Sequence, residues 1–210
     1  MSVLTEDYRR TDIKTPDPIL SGLDARIFSL AGRYRRRASL TGRLLTAAEE
    51  IDAKAPLWKE KSDRALRESL VGFREIFCRN KQGYEEHLPD ALAAIREAAE
   101  RCLGLRPYVV QLAGALALFR GTVAEMATGE GKTLTAGLTA VVWGWIGRPC
   151  HIITTNDYLA DRDAKWLEPL YRFCGVSVGR VISEMEPHAR REEYRKDVTY
   201  TTSKEILADF

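Results

Sequence analysis

The residues best suited to chemistry sit in one octapeptide, Met126-Ala127-Thr128-Gly129-Glu130-Gly131-Lys132-Thr133. A phosphate chain needs close backbone approach, which Gly129 and Gly131 permit because neither carries a β-carbon. It also needs converging N–H donors at a helix start, which Gly131 to Thr133 would supply. Lys132 suits the β- and γ-phosphates, and the Thr133 hydroxyl suits Mg²⁺. The pattern G-x-x-x-x-G-K-[ST] is met except at its first position, where Met126 stands. The competing reading is an ordinary glycine-bearing helix entry. A strand expected over Thr122–Met126 and a helix expected over Lys132–Ile146 favour the phosphate site.

Two further segments carry weaker signals. In Arg106-Pro107-Tyr108-Val109-Val110-Gln111-Leu112, the Gln111 carboxamide can both donate and accept, as adenine N6–H₂ and N7 require. Tyr108 could flank the base; alternatively, Gln111 is only a polar residue opening an apolar helix. The second segment, Thr154 to Ala164, joins an expected strand to its helix, where α/β sheets hold ligands. There, plain helix capping by Asn156 or Asp157 is the simpler reading.

These segments need a scaffold, and the chain has two textures. From about Asp24 to Gly104 the periodicity is helical: Leu40, Leu44, Ala47, Ile51 and Ala55 form one stripe, and Leu66, Leu70, Phe73 and Phe77 another. The second follows a cap at Ser62 or Asp63. A third helix carries Pro89 in its first turn, lays Leu88, Leu92, Ile95, Ala99 and Cys102 along one stripe and stops at Gly104. After Arg106, strands expected at Cys150–Thr155, Val176–Ile182 and Asp197–Thr202 alternate with helices at about Tyr158–Phe173 and at Pro187–Tyr194. A last helix begins near Ser203. This alternation implies βαβ units and a parallel sheet covered on both faces. The expected organisation is a helical N-terminal arm over residues 1–105 and the first part of a nucleotide-binding motor domain over 106–210. The chain ends inside its last helix and reads as cut.

Composition narrows the class. With 210 residues, 45% hydrophobic and 30% charged, the chain is too apolar for a disordered tail. A net charge of +2, with balanced charges over residues 106–210, gives no global field for nucleic acid. Cys78, Cys102, Cys150 and Cys174 lie far apart with no C-x-x-C pair, which excludes a zinc ribbon and favours a reducing compartment. His87, His151 and His188 have no second ligand type nearby, and His151 is expected in a buried strand. Trp143, Trp145 and Trp166 read as helix-packing residues. No leader and no membrane span are expected, so the chain reads as soluble and cytoplasmic.

The order R-P-Y-V-V-Q-L, A-E-M-A-T-G-E-G-K-T-L-T-A, T-N-D-Y-L-A-D-R-D-A and D-V-T-Y-T-T-S-K-E resembles the SecA preprotein translocase ATPase family over nearly the whole chain. The resemblance implies a P-loop NTPase α/β fold (RecA-like, DEAD-type), incomplete here, with ATP and Mg²⁺ as ligands. It implies that Gln111 reads adenine, that Gly129, Glu130, Gly131, Lys132 and Thr133 hold the phosphates, and that Thr133 holds Mg²⁺. Lys132 and Thr133 are then the catalytic pair. Met126 is similar to what the family carries; Ala127 stands where members often have Arg or Lys. Thr201-Thr202-Ser203-Lys204 replaces the commoner G-T-N-N and suggests a divergent branch. The implied partners are a preprotein and the Sec channel, at the cytoplasmic side of the plasma membrane, with no nucleic acid.

Arg26, Arg33, Arg35, Arg36, Arg37 and Arg43 follow one another with no acid between them, among Ile27, Phe28, Leu30, Tyr34 and Leu40. They would suit a cationic helix on anionic lipid, or equally a solvated basic face. No Asp-Glu strand follows the glycine loop, so this chain alone is expected to bind nucleotide weakly and hydrolyse little. The alternatives are a superfamily-two nucleic-acid helicase fragment or a non-hydrolysing binding module. Asp157, Asp161 and Asp163 against the single Arg162 would repel a nucleic-acid backbone and disfavour the helicase.

Overall fold

The computed structural model describes residues 22–23, 25–27, 30, 40–79 and 83–210. Arg33, Arg35, Arg36 and Arg37, the centre of the basic stretch, lie outside them; Arg26 and Arg43 are exposed.

Helix α1 (Leu40–Ala53) buries Leu44, Ala48 and Ile51. It stops before the expected Ala55 because Pro56 lacks an N–H and its ring clashes with the carbonyl four residues back. A short α2 (Ala55–Lys59) starts instead, with that proline in its first turn. Helix α3 (Asp63–Arg79) buries Leu66, Leu70 and Phe77, and Ser62 Oγ accepts from Ala65 N at 3.2 Å. A 3₁₀ turn (Tyr84–His87) leads into α4 (Leu88–Leu103), which Gly104 ends.

Helix α4 is buried from Ala91 to Ala99, including Arg96 and Glu97. Its alanines let neighbours approach closely, and its two buried charges are paired. Arg96 meets Asp52, and its Nε donates to Pro107 O at 2.7 Å. Glu97 meets Arg101 at 2.8 Å, and Arg106 meets Glu100. Unpaired, such charges would be costly to bury. Here they fasten α4 to the chain entering α5 (Val109–Phe119).

Helix α6 (Lys132–Ile146) packs against α5 and α3. The sheet follows, as β1 (Cys150–Thr154), α7 (Asp157–Phe173), β2 (Val178–Arg180), α8 (Pro187–Tyr194), β3 (Val198–Thr202) and α9 (Ser203–Asp209). All pairing is parallel in the order β1-β3-β2, with Cys150 opposite Val198 and Val178 opposite the same residue. Central β3 is buried throughout. Tyr200 meets Tyr171 of α7 through hydroxyls 2.8 Å apart, whereas Thr199 Oγ1 donates to Glu193 O of α8 at 2.8 Å. Both faces are therefore covered, as parallel sheets require. One hydrophobic core runs from Leu44 to Tyr200.

Three expectations need correction. Thr122–Met126 is not a strand: its residues alternate between half-buried and exposed, but no ladder partner lies beside it among the described residues. A strand exists only through its pairing, and period alone does not supply one. The run Val176–Ile182 pairs over only three residues because turns take up both its ends. Val176 N donates to Tyr171 O at 2.8 Å, and Ile182 O accepts from Met185 N at 3.2 Å. His151 lies on β1 but is exposed, with its ring 5.6 Å from that of Tyr194.

Candidate functional site

The glycine loop follows the irregular run 122–127 and enters α6 at Lys132. Gly129 and Gly131 both take positive φ, 88° and 81°, a region that opposes a β-carbon. A β-carbon on Gly131 would lie 2.2 Å from Gln111 Nε2, whereas one on Gly129 would meet nothing within 4 Å. The loop bonds to itself: Lys132 Nζ donates to Ala127 O at 2.7 Å, and Ala127 N donates to Glu130 Oε2 at 2.9 Å. Thr135 N donates to Gly131 O at 3.0 Å, so the first-turn amides that precede it have no helical acceptor.

Gln111 is buried at the third position of α5. Its Oε1 accepts from Tyr108 N at 3.0 Å, and its Nε2 donates to Glu130 O at 2.8 Å. The side chain thus joins the start of α5 to the glycine loop. Tyr108 is exposed.

Two cavities flank this junction. One, of about 580 Å³, is lined by Gly129, Gly131, Lys132, Thr133, Arg162 and Asp163, among others. The other, of about 430 Å³, takes in Arg96, Arg106, Tyr108 and Gln111. They share Gly129, Gly131, Leu134 and Trp166. The cavity bordered by Lys132 and the first-turn amides of α6 suits an anion; the one with Tyr108 and Gln111 suits a flat ring with hydrogen-bonding edges. A glycine cradle, an ammonium group and a hydroxyl at one helix start fit a magnesium–polyphosphate.

The segment after β1 divides its work. Asn156 Oδ1 accepts from Leu159 N at 2.9 Å and caps α7. Asp157 Oδ2 accepts from Ser183 Oγ at 2.6 Å and from Ser183 N at 2.9 Å. These bonds hold its carboxyl below the usual carboxylate range. Asp161 pairs with Arg180 at 2.5 Å. Only Arg162 and Asp163 of this segment face the cavity, with Trp166 one turn on. Sequence reasoning treated Arg162 and Asp163 as a charge balance and Trp166 as packing. Trp145 does pack, at 1% exposure, but Trp166 is 38% exposed and walls both cavities. The signal was the spacing of Arg162 and Trp166, four apart on one helix face. Among the described residues no cluster of three metal-ligating side chains occurs, and no helix is long and apolar enough to cross a membrane.

Residues 30–210 match the SecA DEAD-like domain. The chain is 47% identical over 206 residues to protein translocase subunit SecA 2 of Chlorobium chlorochromatii, covering 98% of this chain and 31% of that protein. It is 40% identical over 200 residues to the protein of the same name from Magnetococcus marinus, covering 95% and 31%. Against protein translocase subunit SecA of Crocosphaera subtropica it is 48% identical over 155 residues, covering 71% and 17%. The chain thus spans about a third or less of the length of these relatives.

Proposed function

This chain belongs to the SecA family through its DEAD-like domain, and from that premise we propose that it binds ATP with Mg²⁺ as part of a protein-translocating motor. The observation that carries the reading is the glycine loop at the start of α6, where Lys132, Thr133 and two positive-φ glycines border one cavity and Gln111 borders the next. Gly129, Glu130 and Gly131 offer backbone to the phosphates. Lys132 exchanges its bond to Ala127 O for phosphate oxygens, gaining a charge-assisted partner. Thr133 is the residue that would hold Mg²⁺, which when bound neutralises phosphate charge. Gln111 reads the edge of the base, and Tyr108 flanks it.

In this reading the whole motor couples ATP hydrolysis to moving preproteins through the Sec channel, working from the cytoplasmic side of the membrane. The names of the relatives, translocase subunits all, support that wider role. Lys132→Ala tests the site directly. A charged hydrogen bond of about 1.5–3 kcal/mol is removed, so ATP should bind roughly 10- to 100-fold more weakly in a titration with labelled nucleotide. Unchanged affinity in a variant with the parent's circular dichroism would overturn the proposal.

A further inference from the structure

The phosphate-side cavity has one carboxylate in its wall among the described residues, Asp163. It is 7% exposed. Its Oδ1 accepts from Arg162 Nε at 2.9 Å and from Arg162 Nη2 at 2.7 Å. Its Oδ2 accepts from Thr133 Oγ1 at 3.4 Å, the one hydrogen bond to that oxygen among the described residues. That distance is long for a hydroxyl donor, whose bonds centre near 2.7–2.8 Å. The carboxylate's charge is paired with Arg162 through Oδ1, which leaves Oδ2 to hold the Thr133 hydroxyl at the cavity wall.

A hydroxyl has one proton and two lone pairs. With its proton aimed at Asp163, Thr133 turns its lone pairs away from α7. Thr133 would offer those lone pairs to a cation, and its O–H would then be a stronger donor toward Asp163. Partners of this kind orient a metal's direct ligands and raise affinity without touching the metal.

We propose that Asp163 is a positioning residue for the divalent cation, holding the Thr133 hydroxyl so that Mg²⁺ strengthens ATP binding. This rests on the nucleotide reading above. Neither its spacing nor its place in a run of acids marks Asp163 for this task. The contact depends on α7 crossing α6 so that residue 163 reaches residue 133.

The test measures ATP affinity by displacement of a fluorescent ATP analogue, once in excess Mg²⁺ and once in EDTA. The proteins are the full chain, Asp163→Asn, Thr133→Ala and the double variant. The parent should bind more tightly with Mg²⁺. Asp163→Asn should keep the EDTA affinity within about twofold and lose roughly tenfold or more of the Mg²⁺ effect. The double variant should match Thr133→Ala alone, because the carboxylate acts through that hydroxyl. An unchanged Mg²⁺-to-EDTA ratio in Asp163→Asn overturns the proposal. So does an equal loss in both conditions, which would mark Asp163 as merely structural. A parent that binds no ATP in either condition overturns the nucleotide reading, and this inference with it.

Discussion

Replacing Gly131 with alanine should cost more than the same change at Gly129, and the reason is Gln111. Both glycines sit at positive φ, so a β-carbon at either carries about 1–2 kcal/mol of strain. At Gly129 nothing lies within 4 Å of the added carbon, so strain is the whole cost. At Gly131 the carbon would sit 2.2 Å from Gln111 Nε2 and 3.3 Å from its Cδ. The carboxamide must leave, and its bond to Glu130 O goes with it, at about 0.5–1.5 kcal/mol more. Urea unfolding should therefore show Gly129→Ala losing about 1–2 kcal/mol and Gly131→Ala about 2–3. In a Gln111→Ala background the clash is absent, and the increment at position 131 should fall to the strain alone. The cycle should then show a coupling of about 1 kcal/mol between positions 111 and 131. Additivity within about 0.3 kcal/mol, or equal costs at the two glycines, would refute the account.

Two other measurements follow from the same structure. Ser183 holds the Asp157 carboxyl below its usual range, so its contribution to stability is fully present above the unfolded value of about 3.9 and fades as pH falls through the lower folded value. The stability advantage of the parent over Ser183→Ala should be constant near neutrality and shrink below about pH 4; a constant gap down to full acid unfolding would contradict it. In native alkylation at pH 8, exposed Cys78 should react first and buried Cys174 last, with Cys150 slow because burial pushes its thiol up to about 11. Peptide mass spectrometry over a time course reads the order, and early modification of Cys150 would count against its burial.

Much of this fold could be read from periodicity, because the local signals agree with the packing. Pro89 lies in the first turn of α4 and Gly104 caps its end as expected, and Pro187 and Tyr194 bound α8 to the residue. What periodicity could not supply was pairing. Thr122–Met126 has a strand's alternation without a ladder partner among the described residues, and Val176 and Ile182 have strand-like side chains on backbone that turns require. The candidate site divides the same way. Gly131, Lys132 and Thr133 were visible because adjacent residues specify the loop. Arg162, Asp163 and Trp166 reach the same cavity only through the crossing of α7 over α6. Those two helices approach closely at Gly137, where a β-carbon would meet Leu167 Cδ1 at 2.8 Å. No local pattern encodes that crossing.

The bonds within the loop bear on where affinity and selectivity would arise. Lys132 bonds to Ala127 O, Ala127 N to Glu130, and Gln111 to both Tyr108 N and Glu130 O. A nucleotide bound here would therefore have to exchange partners, and only the difference between old and new bonds would appear as binding energy. For Lys132 the exchange would replace a neutral carbonyl with an anionic oxygen, a clear gain. For Gln111 it would replace backbone amide partners with a base edge of similar strength, a gain near zero. The phosphate side would then supply most of the affinity. Gln111 would supply discrimination, because a base that cannot return both bonds leaves a buried carboxamide unsatisfied.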